Sequence, residues 1–382
     1  MANRRVYYAI HSVAFKNNSA SPTNYVVPIQ PGVDVAPSGR WEIARGVQSV
    51  GMTTTFNFED VFQLGQLETY EFIESEPEIE VTCEKVLDGT KPLWFMVTGP
   101  RGTSAITDRT ANYRVDVAIP IYSDTQTRAT GLPLSMVLGS GMYLSSYTLT
   151  FPVDGNFTES VTLVGNDKIW GDYDLGGDPY PAATGFGGVL LGTTQTPVGF
   201  PSGVTPSVGG IGFFTTVGGE SAQVIGSGVQ RRESFRLASS RLPTQIPGVS
   251  SSGTLENIVE HIQTITVTTD LGREDIFELG RKRPFFKFVT FPIEVTTTIE
   301  VITSQGDLID AVSREEGCTR TANTIDERIY LEICDGLQVD LGYKNRLQSI
   351  DMSGGEAGGG NMTITYTYSN RNDLTITHRT FS

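Results

Sequence analysis

Apolar and polar residues alternate along most of this chain, and the period is two rather than the 3.6 of a helix. Glu78-Ile79-Glu80-Val81-Thr82-Cys83 and Glu294-Val295-Thr296-Thr297-Thr298-Ile299 each read as a half-buried strand, followed by turns at Asp88-Gly89 and Gln305-Gly306. The same alternation predicts strands around 113–122 and 326–333. It also predicts two hairpins: 143–151 with 157–164 across the turn PVDGN, and 346–352 with 362–368 across the loop SGGEAGGG. Helix is expected only briefly. Pro92 suits the first helical position before LWFMV, and Asp307 can cap LIDAVSREE with Gly317 as its stop.

Comparing the chain with itself gives its organisation. Residues 47–66, VQSVGMTTTFNFEDVFQLGQ, and residues 262–281, IQTITVTTDLGREDIFELGR, agree at eight of twenty positions, with Val/Ile or Ser/Thr exchange at four more. The register continues through Pro77 and Pro292. It then runs through Glu80-Val81-Thr82 against Glu294-Val295-Thr296 after a one-residue slip, and on to Arg109-Thr110-Ala111-Asn112 against Arg320-Thr321-Ala322-Asn323. The expected fold is therefore mainly β: two tandem copies of one β-rich unit, each with one short flanking helix. Copy one spans 1–170 and copy two spans 229–382. Between them, 171–228 is a Gly-, Pro- and Thr-rich insert or extended arm, whose dispersed Val, Leu and Phe argue against a purely solvated linker.

Composition narrows the chemistry. The chain has 382 residues, room for two cores, and no run of 18 apolar residues or signal-peptide core, so folding in cytoplasm is expected. A net charge of −15 disfavours tight binding to phosphate backbones. Cys83, Cys318 and Cys334 form no CxxC pair and read as buried thiols; His11, His261 and His378 fit no metal-ligand spacing. No Walker-type phosphate loop and no GxSxG elbow occurs. The acidic pairs Glu59-Asp60 and Glu274-Asp275 recur in both copies beside Phe and Leu-Gly, which favours a turn or interface role over acid–base work. The reading is a non-enzyme without metal or cofactor.

The segments TTTFNFEDVFQLGQLETYEFIESEPEIEVTCEKVLDGTKPL, SYTLTFPVDGNFTESVTLVGNDKIW and, in copy two, TTDLGREDIFELGRKRPFFKFVTFPIEVTTTIEV resemble bacteriophage tail tube and related virion structural proteins. The resemblance implies that the two copies are tandem β-sandwich or barrel-like tail-tube domains, in subunits that join edge to edge into a ring with a continuous lumen. It further implies rings stacked into a conduit through which DNA passes without specific binding, in a virion tail assembled in the host cytoplasm with other tail proteins. Tubes of this family resemble six-fold rings, so a duplicated chain suggests a trimer with pseudo-six-fold symmetry; six chains with copy two outside is the alternative. Glu68, Glu71, Glu74, Glu76, Glu78 and Glu80 of copy one correspond to a stretch of copy two with Arg281, Lys282, Arg283 and Lys287. These charges could meet across joints between alternating copies, face solvent, or, for Glu76, Glu78 and Glu80, line the lumen. Rival readings are a baseplate or decoration protein, an injection-system tube, and a β-sandwich adhesin using Tyr180 and Phe186.

Overall fold

The computed structural model describes residues 13–18, 42–65, 67–98, 103–107, 114–121, 135–172, 228–236, 241–247, 249, 261–280, 284, 286–302, 315–316, 319–320, 326–354 and 361–379. The insert, Arg281–Arg283, Cys318, Tyr180 and Phe186 lie outside them. Copy one contains β1 (Ala14–Asn18), β2 (Glu42–Ile43), β3 (Val47–Thr55), β4 (Phe58–Phe62), β5 (Thr69–Glu74) and β6 (Glu78–Val86). The helix α1 (Leu93–Thr98) follows, then β7 (Thr103–Ala105), β8 (Arg114–Ile121), β9 (Ser135–Pro152), β10 (Thr158–Gly165) and β11 (Asp167–Asp172). Copy two contains β12 (Phe235–Arg236), β13 (His261–Asp270), β14 (Arg273–Ile276), β15 (Phe286–Val289), β16 (Glu294–Ile302) and β17 (Glu315–Glu316). It ends with β18 (Thr319–Arg320), β19 (Tyr330–Ile333), β20 (Leu337–Asp340), β21 (Arg346–Ser353), β22 (Thr363–Arg371) and β23 (Thr375–His378). The mainly β class expected from the alternation is borne out, as are both closing hairpins.

Eight antiparallel strands from both copies form one sheet in the order β3-β6-β10-β9-β13-β16-β22-β21. The first four belong to copy one and the last four to copy two, and each quartet has the same internal order. Their irregularities coincide as well. Gln48 bulges out of β3 and Gln263 out of β13, and each side-chain amide donates to the backbone oxygen two residues earlier, Gly46 O at 3.2 Å and His261 O at 3.1 Å. Bulges at Ser145 in β9 and Gln348 in β21 also correspond. These shared bulges fix the strand register in both copies. The pairing Thr55↔Glu78 and Asp270↔Glu294 makes Glu78, not Glu80, the counterpart of Glu294, so the sequence register is corrected by two residues. The EVT match misled because Val and Thr recur every second position in strands of this kind.

A second layer covers one face. Copy one contributes β2-β1-β8, the first half of β9, and β11; copy two contributes β12-β19-β20-β23 with β7 of copy one added at its edge. β9 serves both layers. Gly141, at φ 65° near the crossover, takes a conformation that favours glycine, and its N–H donates to Asp116 Oδ1 at 2.8 Å. Ile79, Val81, Val161, Leu149, Val267, Ile299 and Tyr366 point between the layers into one continuous core with Val115, Val117, Leu331 and Ile376. α1 begins immediately after Pro92, whose carbonyl accepts from Met96 N, and all six of its residues are buried. Pro92 thus precedes the helix by one residue. The segment expected to end a second helix is instead strand: Glu315 and Glu316 pair with Arg320 and Thr319. Residues 303–314 lie outside the described residues.

One cluster in copy one is polar although wholly buried. Lys85 and Glu159, 0% exposed, face each other on β6 and β10 with Nζ 3.8 Å from Oε1, and Lys85 donates to Lys91 O at 2.6 Å. Glu159 Oε1 accepts from Leu93 N at 2.6 Å, holding the start of α1, and Oε2 accepts from Tyr147 OH at 3.1 Å. Burial raises the Glu159 carboxyl above its ordinary value despite the opposing pull of Lys85. Between the unfolded and the native value the folded chain keeps a proton that the unfolded chain has released. Stability from this group is therefore greatest below the usual carboxylate range and falls as pH rises through the raised native value. Glu159→Gln is expected to flatten that fall, read from urea midpoints across pH; an unchanged pH slope refutes it. Cys83 is buried here too, its thiol pushed up to about 12 by desolvation. Cys334, expected to be buried, is exposed: it lies in the turn between β19 and β20, where Arg236 Nε reaches its Sγ at 3.4 Å.

Candidate assembly surfaces

Three surfaces are exposed where an isolated domain of this kind would cover or blunt them. The first is the pair of sheet edges, β3 and β21, each paired on one side only among the described residues. Their core-side rows are apolar: Val47, Val50 and Met52 on β3, Leu347 and Ile350 on β21 pack only partly against the core, and Met352 is 58% exposed. At the join inside the chain the equivalent positions are closed. Ile265 and Val267 of β13, which match Val50 and Met52, are 2% and 1% exposed; Tyr147 and Leu149 of β9, which match Ile350 and Met352, are 1% and 0%. β3, VQSVGMTTT, carries no charge and no proline to discourage pairing.

The second surface is a pair of projecting hairpins, built by the repeated EDVFQLG and EDIFELG segments. Arm one is β4 with β5 and arm two is β14 with β15. Both turn at a glycine in the left-handed region, Gly65 at φ 89° and Gly280 at φ 85°, with open space around each, so the backbone angle and not crowding requires glycine. The arms expose large apolar side chains: Phe58, Phe62, Tyr70 and Phe72 on arm one, Ile276, Phe277 and Phe288 on arm two, and Leu64, Leu67 and Leu279 fully at the tips. Isolated exposed leucines need no account, whereas two equivalent apolar projections mark contact sites. Arm two is braced on copy one. Arg273 donates to Leu144 O at 2.7 Å and lies 5.4 Å over the Tyr143 ring, and Phe286 meets Tyr143 edge-on at 5.2 Å.

The third surface is the open face of the eight-stranded sheet. Hydroxyls cross it in rows, one running Thr158, Thr150, Thr266, Thr298, Thr367 and Ser349 over six strands and both copies. Its charges are mostly carboxylates: Glu78, Glu80, Glu84, Asp270, Glu294, Glu300 and Asp351, against Arg346 and Arg371. The Arg371 guanidinium pairs with Glu294 at 2.8 Å.

The charged residues singled out from sequence are dispersed over these surfaces. Glu68, Glu71 and Glu74 are exposed on arm one, Glu76 lies at its base, and Glu78 and Glu80 lie on the open face. Lys287 is on arm two, 5% exposed, with Nζ 2.7 Å from Asp275 Oδ1. Glu74, Glu76 and Glu78 line, together with Asp275 and Lys287, a cleft of about 390 Å³ between the bases of the two arms. Acidic residues of copy one and Lys287 of copy two thus share one cleft within the chain, with Lys287 paired to Asp275 of its own copy. The edges and the apolar tips were missed; the unbroken apolar–polar run of β3 and the paired Leu-Gly tips were the available signals. Among the described residues no group of three or more His, Cys, Asp or Glu could hold a metal ion, and no helix is long and apolar enough to cross a membrane.

No family model matches the sequence, and no curated protein matches it. Among solved structures the chain is similar to a component of the anti-feeding prophage baseplate, with 11% identity, TM-score 0.31, and coverage of 44% of this chain and 97% of the other. It is also similar to a chain of the sheath–tube complex of the PVC extracellular contractile injection system in its extended state, with 11% identity, TM-score 0.30, and coverage of 45% and 94%. A third is in the cap that terminates the anti-feeding prophage tube, with 10% identity, TM-score 0.31, and coverage of 45% and 94%. Likeness at this level transfers no role to the chain.

Proposed function

We propose that the protein is a non-enzymatic structural subunit of a phage-type tail tube, and that its chains join edge to edge into rings that stack. The observation that carries this reading is the unequal fate of equivalent strands. Inside the chain, β9 of copy one pairs with β13 of copy two; the same strands one repeat on, β21 and β3, are left as edges with half-exposed apolar rows. Pairing β21 of one chain with β3 of the next repeats the internal join. Carrying over the internal register sets Ser349 opposite Thr55, Ile350 opposite Thr54, Asp351 opposite Thr53 and Met352 opposite Met52.

Three chains of eight strands give 24 strands and six copies. At ~4.8 Å between strands and a tilt of about 40°, such a barrel is about 48 Å across at the backbone, wide enough for a channel, whereas eight strands alone enclose only side chains. The open face then lines the lumen. Hydroxyls and carboxylates there present no phosphate-binding surface, which suits passage of DNA without retention. The arms, leaving the sheet at one end, reach the neighbouring ring. Leu64→Asp combined with Leu279→Asp is expected to leave monomer stability within about 0.5 kcal/mol, since these side chains touch nothing. The same change is expected to replace long rods by single rings in negative-stain electron microscopy. The wild-type protein should give hollow rods with three chains per ring; a chain that never assembles refutes the tube, and six chains per ring refutes the trimer.

A further inference from the structure

The join between the copies has an outer layer as well as an inner one. Behind the β9–β13 seam, β7 of copy one adds to the outer sheet of copy two, with Thr375 opposite Ala105, Ile376 opposite Ser104 and Thr377 opposite Thr103. The exchange is firmly seated. Ser104 and Ile106 are buried, Ile106 N–H donates to Leu374 O at 2.8 Å, and the hydroxyls of Thr103 and Thr377 are 3.2 Å apart.

The outer sheets of the two copies have one strand order, β1-β8-β9-β11 and β12-β19-β20-β23. β23 gains a further strand from the other copy. β11, its counterpart, pairs only with β9 among the described residues. The strand that would fill this edge also exists. Counting back from the repeated Arg-Thr-Ala-Asn block, Ser104-Ala105 corresponds to Glu315-Glu316, and these two residues form β17. Among the described residues β17 pairs only with β18, a ribbon of two residue pairs that is marginal without a further strand.

We propose that β17 of one chain adds to β11 of the next, an exchange between two copies of this chain in the outer layer of the ring. The proposal rests on the tube reading, because the β21–β3 seam places copy two of one chain beside copy one of its neighbour. That is the order in which β7 already reaches β23. The geometry is antiparallel, as it is for β7, so Glu316 lies toward the Asp167 end of β11.

Chains with introduced cysteines test it, made with Cys318→Ser and Cys334→Ser so that the buried Cys83 is the one native thiol left. A chain with Glu316→Cys is mixed with a chain carrying Lys168→Cys or Ile169→Cys, assembled and oxidised. Met352→Cys with Met52→Cys reports the inner seam, and Thr103→Cys with Thr377→Cys in one chain reports the internal exchange. Disulfide-linked dimers through Glu316→Cys, at least tenfold more abundant in rods than in unassembled protein, are expected. Rods that cross-link at the inner seam but at neither β11 position overturn the exchange and leave the tube standing. Failure of both seams, without rods, overturns the tube reading and the exchange with it.

Discussion

A chain carrying Met352→Glu is expected to fold normally and to need at least tenfold higher concentration to form rods, and so is a chain carrying Met52→Lys. Met352 is 58% exposed in the single chain, so a carboxylate there stays solvated until a neighbour arrives. At the proposed β21–β3 seam both methionines would take the places of Leu149 and Val267, which are 0% and 1% exposed. Burying one unpaired charge there costs several kcal/mol, and each ~1.4 kcal/mol is about tenfold in an association constant. The double variant Met52→Lys/Met352→Glu is expected to recover most of the assembly, because the derived register sets the two side chains opposite each other. Met52→Lys/Met352→Lys is expected to recover none. Sedimentation and negative-stain microscopy at graded concentrations read the outcome. Normal assembly of Met352→Glu, or equal failure of both double variants, removes β21–β3 as the seam.

The second large effect is on stability. At pH values where Glu159 is ionised, Lys85→Met is expected to destabilise the fold by about 3–5 kcal/mol, since it leaves that carboxylate buried without its cation. The chain supplies its own reference for removing both charges. Lys85 pairs with Glu159 in copy one, and Val301 pairs with Ile364 at the equivalent positions of copy two. Lys85→Val/Glu159→Ile therefore imposes on copy one the apolar pair that copy two already packs. It is expected to lose less than Lys85→Met, the remaining cost coming from the Leu93 N–H and the Tyr147 hydroxyl deprived of their acceptor, at about 1–3 kcal/mol for each buried group left unpaired. Urea denaturation of the wild-type, Lys85→Met and Lys85→Val/Glu159→Ile chains measures this. A double variant as unstable as the single one shows that the polar pair is required for packing in copy one.

Much of this was legible in the sequence, and the limits are physical. Alternation located β6, β16 and both closing hairpins because one face of each meets the core, and the repeat was visible because both copies solve the same packing problem. The buried pair had a signal too: Lys85 continues the phase of Ile79, Val81 and Cys83, and Glu159 that of Val161 and Leu163. Other features depend on contacts distant in sequence. Nothing local in β9 or β13 says that they pair with each other, so the copies read as separate domains although one sheet runs through both. Glu315-Glu316 follows a helix-like pattern and adopts strand, because two residues take the conformation that pairing dictates. The Glu-rich stretch read as one charged segment, yet it passes from arm to strand and divides between solvent, a cleft and the open face.

The covalent link between the copies also bears on kinetics. The β9–β13 join forms within one chain, so its formation does not depend on protein concentration, and folding alone completes three of the six joins in a six-copy ring. In the proposed three-chain ring, two encounters and one closure then separate dispersed chains from the closed ring, against five encounters and one closure for six separate copies, and fewer partial arcs with open edges are expected on the way. Copy order is fixed by the same link: a ring closed through β21 and β3 must alternate one and two, whatever the supply of chains.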